Sequence, residues 1–122
     1  MNTNKVADAI LTKLLVIHPR VFRNAPSSTP TFPYIVFDCE TVTDTTPSDD
    51  YYIYINIYDA PKTSVRAIND LADSIEGLDE TLINDSVFNL YLTRISRQFI
   101  SNNELTTSQA INLQMSARVY FK

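Results

Sequence analysis

The chain has one cysteine, one histidine, one glycine and no tryptophan in 122 residues. A lone cysteine, Cys39, excludes an internal disulfide and any multi-cysteine metal site. A lone histidine, His18, excludes a two-histidine metal centre within one chain. Glycine-rich phosphate loops need several glycines, and Gly77 stands alone. No apolar run approaches the roughly 18 residues that a membrane-spanning helix requires. Positive charge is also scarce. Ten Lys and Arg stand against fourteen Asp and Glu, a net of −4 with a pI near 4.7. An acidic chain grips nucleic-acid phosphates poorly. Met1 to Lys5 shows no basic segment followed by a long apolar run, so the expected compartment is the cytoplasm.

What is present suits one packed domain over residues 1–122. Hydrophobic residues make up 44% and charged residues 20%, a balance that supports a core. Val6, Ile10, Leu14 and Ile17 recur on one helical face, predicting a helix over residues 3–17 that stops before Pro19. Thr3 or Asn4 is the expected cap, and His18 the helix-end residue. Val21 to Arg23 reads as a short strand, and the three prolines between Asn24 and Pro33 as a loop or arm. Tyr34 to Thr43 reads as a strand, and Thr43 to Asp50 as an acidic turn. Tyr51 to Asp59 is the clearest strand. Ile53, Ile55 and Ile57 alternate with Tyr52, Tyr54, Asn56 and Tyr58, which predicts isoleucines inward and tyrosines outward.

A second helix is expected after Asp59, capped by Asp59 or Thr63. Val65, Ile68, Leu71, Ala72 and Ile75 form its apolar face, and Gly77 its left-handed stop. Its outer face is acidic, as befits a solvated surface. Residues 81–86 read as a polar link. Val87 to Ser101 is rich in strand formers, and residues 109–122 alternate without a break from Ile111 to Phe121. The expected class is α+β: a mostly antiparallel four- to five-stranded sheet with two helices packed on one face.

One motif looks like chemistry. Val36-Phe37-Asp38-Cys39-Glu40-Thr41 resembles the first motif of the DEDD exonucleases, an Asp-x-Glu on a strand. Strand residues two apart share a face, so both carboxylates face one divalent ion, and a metal pair of that kind activates water. The resemblance stops there. The glycine that commonly follows is missing, and no His or Tyr followed four or five residues later by Asp occurs after Glu40. No serine has the His and acid partners of a triad. The alternative reading is therefore a metal-dependent 3′–5′ exonuclease using Asp38 and Glu40. The expected outcome is no enzyme, no cofactor and no bound metal.

A wider resemblance covers nearly the whole chain. It runs in order from the N-terminal helix through Val21-Phe22-Arg23-Asn24-Ala25-Pro26 and Phe32-Pro33-Tyr34-Ile35-Val36-Phe37. Then come an acidic hairpin, Tyr54-Ile55-Asn56-Ile57-Tyr58-Asp59-Ala60, the helix segment Ala67-Ile68-Asn69-Asp70-Leu71-Ala72, and a final Arg118-Val119-Tyr120-Phe121. This layout resembles the tail terminator, or tail completion, family of long-tailed phages and prophages. It departs from many relatives in its poverty of glycine and its long 24–33 segment.

The resemblance implies a structural protein. Such proteins form a ring, usually a hexamer, that caps the tail tube, stops its growth and receives the head connector. Expected partners are further copies of the chain, the tube protein and a head-completion protein. DNA passes through the lumen without specific binding, and no membrane is involved. Assembly is expected in the host cytoplasm and the destination is the virion tail. The residues expected at subunit or partner contacts are Asp44, Asp49, Asp50, Tyr52, Tyr54 and Tyr58.

Overall fold

The apolar stripe of the first segment closes into helix α1 (Thr3–Ile17), with Val6, Ala7, Ile10 and Leu14 buried. The computed structural model describes residues 3–24, 31–45, 48–60, 66–100 and 109–121, with the backbone alone for 42–45, 48, 99–100 and 109. Thr3 and Asn4 already lie inside the helix, so neither is its cap. Asn4 instead accepts a hydrogen bond from the Arg23 guanidinium at 2.9 Å. The His18 N–H still reaches the Leu14 carbonyl at 2.9 Å, and the helix ends there. Its Nε2 donates to the Pro33 carbonyl at 2.8 Å, and Arg20 Nε donates to the same oxygen at 3.0 Å. His18 is thus a buried bracket between the helix end and the start of the next long strand.

The strands are β1 (Val21–Arg23), β2 (Tyr34–Thr45), β3 (Ser48–Asp59), β4 (Thr81–Asn84), β5 (Phe88–Ile100) and β6 (Gln109–Phe121), with α2 (Arg66–Glu76) between β3 and β4. They form one six-stranded sheet in the order β1-β2-β3-β6-β5-β4. This corrects the expected four to five strands. β1 pairs with β2 in parallel, and every other pair is antiparallel. The strand missing from the sequence reading is β4. It is four residues long with only Ile83 buried, too short to show a period.

The two hydrophobic alternations meet across β3 and β6. Ile53, Ile55 and Ile57 stand opposite Met115, Leu113 and Ile111, all buried on the face that carries both helices. Each fully buried aliphatic side chain of this kind contributes about 1.5–3 kcal/mol. β5 follows the same rule only after a correction. Its register slips between Arg94 and Ser96, so Phe88, Leu90, Leu92 and Arg94 share the inner face before the bulge, and Arg97 after it. An extra residue of this kind reverses the parity of everything beyond it.

That reversal brings Arg97 under α2 beside Arg94. Arg97 donates to Asp73 at 2.7 Å, to Asn69 at 2.9 Å, and to Glu76, while Arg94 pairs with the other oxygen of Glu76. The hydrogen bond to Asp73 is the main reason that the Arg97 guanidinium holds its proton even more tightly than usual. The Asp79 carboxylate then takes the Arg94 N–H at 2.7 Å, tying the turn after α2 to the bulge.

Two local expectations change. Asp59 ends β3, and its carboxylate accepts the Ala60 N–H at 2.8 Å. Thr63 and Val65 lie outside the described residues. Gly77 does not take the left-handed conformation; Glu80 does, with φ 63°. A Cβ at 77 would stand 3.1 Å from the Ser74 carbonyl oxygen, a tight contact that glycine avoids.

Two predictions follow from this packing. The Glu76 side chain is 13% exposed and serves two arginines, whereas that of Asp73 is 67% exposed and serves one. Glu76→Ala should cost about 1–3 kcal/mol in urea unfolding, and Asp73→Ala less than about 1 kcal/mol. Equal losses would contradict the clamp.

Cys39 faces the helix side opposite Ile53, and burial pushes its thiol up to about 12. At pH 8 the folded protein should react with iodoacetamide far more slowly than the unfolded protein, because the thiolate is the nucleophile. Because folding raises this pKa, high pH is destabilising. The thiol's contribution is present below the unfolded value near 9 and is lost as pH climbs towards 12. Equal alkylation rates with and without urea would show the thiol to be open.

Candidate assembly surface

Both helices cover one face of the sheet, so the other face has no helix over it. That bare face is where strand alternation sends Tyr52, Tyr54 and Tyr58 of β3, Asp38 and Glu40 of β2, and Asn112, Gln114, Ser116, Arg118 and Tyr120 of β6. The expected tyrosine face is therefore real, and each of the three tyrosines is half-buried. Tyr58 stacks on Tyr34 with centroids 5.1 Å apart, and Tyr34 stacks in turn on Phe32 at 5.5 Å and meets the edge of Phe22 at 6.3 Å. Burial, and then the neighbouring Tyr58, raises the Tyr34 phenol above its ordinary range. Tyr52 and Tyr54 meet edge to face at 6.2 Å.

The acidic expectation is redistributed. Residues 43–45 and 48–50, expected in the acidic turn, are strand. β2 runs to Thr45 and β3 starts at Ser48, with Asp44 opposite Asp49 in the register. The reason is tertiary. β6 extends far enough for Val119 to pair with Asp49, so the hairpin gains ladder hydrogen bonds that local composition argues against. Alternation then separates the two neighbours. Asp49 turns to the helix side and is 8% exposed. Asp50 turns to the bare face, where Arg118 Nε donates to it at 3.1 Å. The side chain of Asp44 lies outside the described residues. The six expected contact residues thus divide: Tyr52, Tyr54, Tyr58 and Asp50 share the bare face, and Asp49 leaves it.

Asp38 and Glu40 share that face as the Asp-x-Glu spacing requires, and both are exposed. Asp38 Oδ1 accepts the N–H of Cys39 at 2.8 Å. With the Asn24 amide turned so that its nitrogen faces Asp38, that nitrogen donates at 2.7 Å. Glu40 accepts the Tyr54 hydroxyl. Partial burial first, and this hydrogen bond second, raise the Tyr54 phenol. Among the described residues, no three His, Cys, Asp or Glu side chains are grouped to hold a metal ion. No helix among them is long and apolar enough to cross a membrane.

The middle of the bare face is a shallow groove of about 380 Å³, lined among others by Tyr54, Asn56, Gln98, Asn112 and Gln114. A smaller hollow of about 250 Å³ lies between Tyr91, Thr93, Ser116 and Arg118. Amides and hydroxyls line the groove, which suits hydrogen bonding rather than acid–base chemistry. The β6 contributions were legible in its alternation. Gln98 was hidden, because the β5 bulge decides which face it reaches.

No protein-family model and no curated protein sequence matches the chain. Solved structures do. One is 10% identical with a TM-score of 0.74, spanning 100% of this chain and 98% of its own. Another belongs to the virion of a native gene transfer agent particle. It is 16% identical with a TM-score of 0.66, spanning 93% of this chain and 92% of its own. At these identities the likeness establishes a shared fold: α1, the six strands and α2 make one unit that recurs end to end in other proteins.

Proposed function

We propose that this chain is a structural component of a phage or phage-like virion, and that it acts as a tail terminator. The observation that carries the reading is the near-complete two-way overlap with a chain of a gene transfer agent virion. The order of sequence segments that resembles the terminator family supports the finer part. In this reading, copies of the chain form a ring, a hexamer by the family's usual number, on the end of the tail tube. The ring stops tube growth and offers a surface to the head connector. Assembly takes place in the host cytoplasm and the ring ends in the virion tail. The chain works by binding and not by catalysis.

The contact surface in this proposal comprises Tyr52, Tyr54, Tyr58 and Asp50, with Asp44 at the hairpin end; Asp49, turned to the helix side, drops out of it. Tyrosines present broad apolar area with a polar tip and lose little side-chain entropy on docking. The net charge of −4 also fits a lumen through which DNA slides without sticking. No comparable observation favours the exonuclease. Asp38 is held by its own strand and Asn24, and Glu40 by Tyr54.

The test is capping of purified tail tubes, read by electron microscopy and by the length distribution of growing tubes. The chain should bind one tube end as a ring and halt elongation. Tyr54→Asp should keep its circular dichroism and stay folded, because the side chain is on the uncovered face. It should weaken capping at least about tenfold, as loss of an interface tyrosine does. Tubes that elongate unchecked beside folded wild-type chain would sink the proposal. Nucleotide release from end-labelled DNA with Mg²⁺ or Mn²⁺, abolished by Asp38→Ala, would replace it with the nuclease.

A further inference from the structure

The chain carries its scarce cations and its surplus carboxylates on opposite flanks of the helix layer. α1 packs over β1 and β2, at one edge of the sheet. Lys5, Lys13, Arg20 and Arg23 lie on that flank, against Asp8 alone. Asp38 and Glu40, on the neighbouring β2, face the other side of the sheet. α2, which packs over β3 and β6, and the turn that leads from it to β4 at the other edge of the sheet form the opposite flank. There Asp73 and Glu76 are matched by Arg97 and Arg94, and among the described residues Asp70, Asp79, Glu80 and Asp85 outnumber the one further cation, Arg66.

Exposed apolar side chains accompany both charges. Val16 is 82% exposed and Leu15 44% at the end of α1. Leu82 is 62% exposed on β4, an edge strand paired on one side only, by β5. Large apolar groups left in water beside an open strand edge favour association.

We infer that copies of this chain associate head to tail, the α1–β1 flank of one docking on the α2–β4 flank of the next. A second copy is the occupant that the charges select. A symmetric contact of either flank with itself would set like charges against like, whereas the head-to-tail contact sets lysine and arginine against the carboxylates. Each copy presents both halves, so association does not stop at two. It continues until the rotation between copies closes a ring. The inference deepens the terminator reading and rests on it only for ring closure on a tube; the contact itself belongs to the isolated chain. It also assigns the flanks a different task from the bare tyrosine face, which stays free for the tube end.

Sedimentation equilibrium of the purified chain over rising concentration, at low and at high salt, tests this. Wild type should form species above the monomer at low salt and shift at least about tenfold in dissociation constant as salt rises, because exposed charges are screened beyond about 8 Å at 0.15 M. Lys5→Glu with Lys13→Glu should be monomeric, and so should Asp70→Lys with Glu80→Lys. Among the described residues none of these four side chains has a hydrogen-bond or ion-pair partner, and thermal melts should confirm that both variants fold. Mixing the two variants should restore association, since each then meets an opposite charge on both flanks. A wild type that stays monomeric at low salt up to its solubility limit overturns the inference, and so does association untouched by either reversal. Association that obeys the charge swaps while tubes go uncapped would keep this interface and remove the terminator role instead.

Discussion

The pairing of β3 with β6 is the constraint on which the rest of the structure depends. It joins residues 49–59 to residues 109–119 over eleven registered positions, across forty-nine intervening residues of chain. Every other antiparallel pair is a hairpin between consecutive strands. The loop-closure entropy of the fold is therefore concentrated in one seam. What holds the seam is a zipper of aliphatic side chains, Ile53, Ile55 and Ile57 against Met115, Leu113 and Ile111. A slip of one residue would turn all of them outward and put tyrosine, asparagine and glutamine into the core, so one register is strongly preferred. α2 depends on it directly, because it bears on β3 and β6 together.

The seam also explains which parts of the fold the sequence revealed. β3 and β6 sit at the centre of the sheet with one face buried, and their alternation is visible at a glance. α1 shows its stripe at Val6, Ile10 and Leu14 for the same reason. The parts that stayed hidden are those where tertiary structure interrupts a period. The bulge near Ile95 breaks the alternation of β5, so the strand was legible by composition but its faces were not. β4 has one buried residue and no period at all. The acidic hairpin 43–50 has turn-like composition, yet β6 pairs far enough to hold β3 extended there. Glycine was expected where the backbone turns left-handed, and Glu80 took that conformation because the clamp on Glu76 and Asp79 fixes the turn from both sides.

The candidate surface was legible to the same degree and for the same reason. The outward tyrosines of β3 follow from the inward isoleucines, and the structure adds the aromatic stack through Tyr58, Tyr34 and Phe32 that no single strand could show. Asp50 needed the sheet order, since its partner Arg118 is 68 residues away and only the β3–β6 seam brings them together. Asp49 and Asp50 are neighbours in sequence and cannot share a face within a strand, so a reading that groups acids by proximity must misplace one of them.

A sheet covered on one face alone leaves a physical question that catalysis would not answer. The bare face holds stacked aromatics and amides, and its carboxylates are spent on a guanidinium, a phenol or the backbone. Such a face has much to offer a flat partner and little with which to activate a substrate. The flanks behave differently, with opposite charge and exposed aliphatic groups at the two edges of one sheet. In the proposed assembly these surfaces become separate directions, edge to edge between copies and face-on towards the tube, and it is the one-sided packing of both helices that keeps the bare face apart from the flanks.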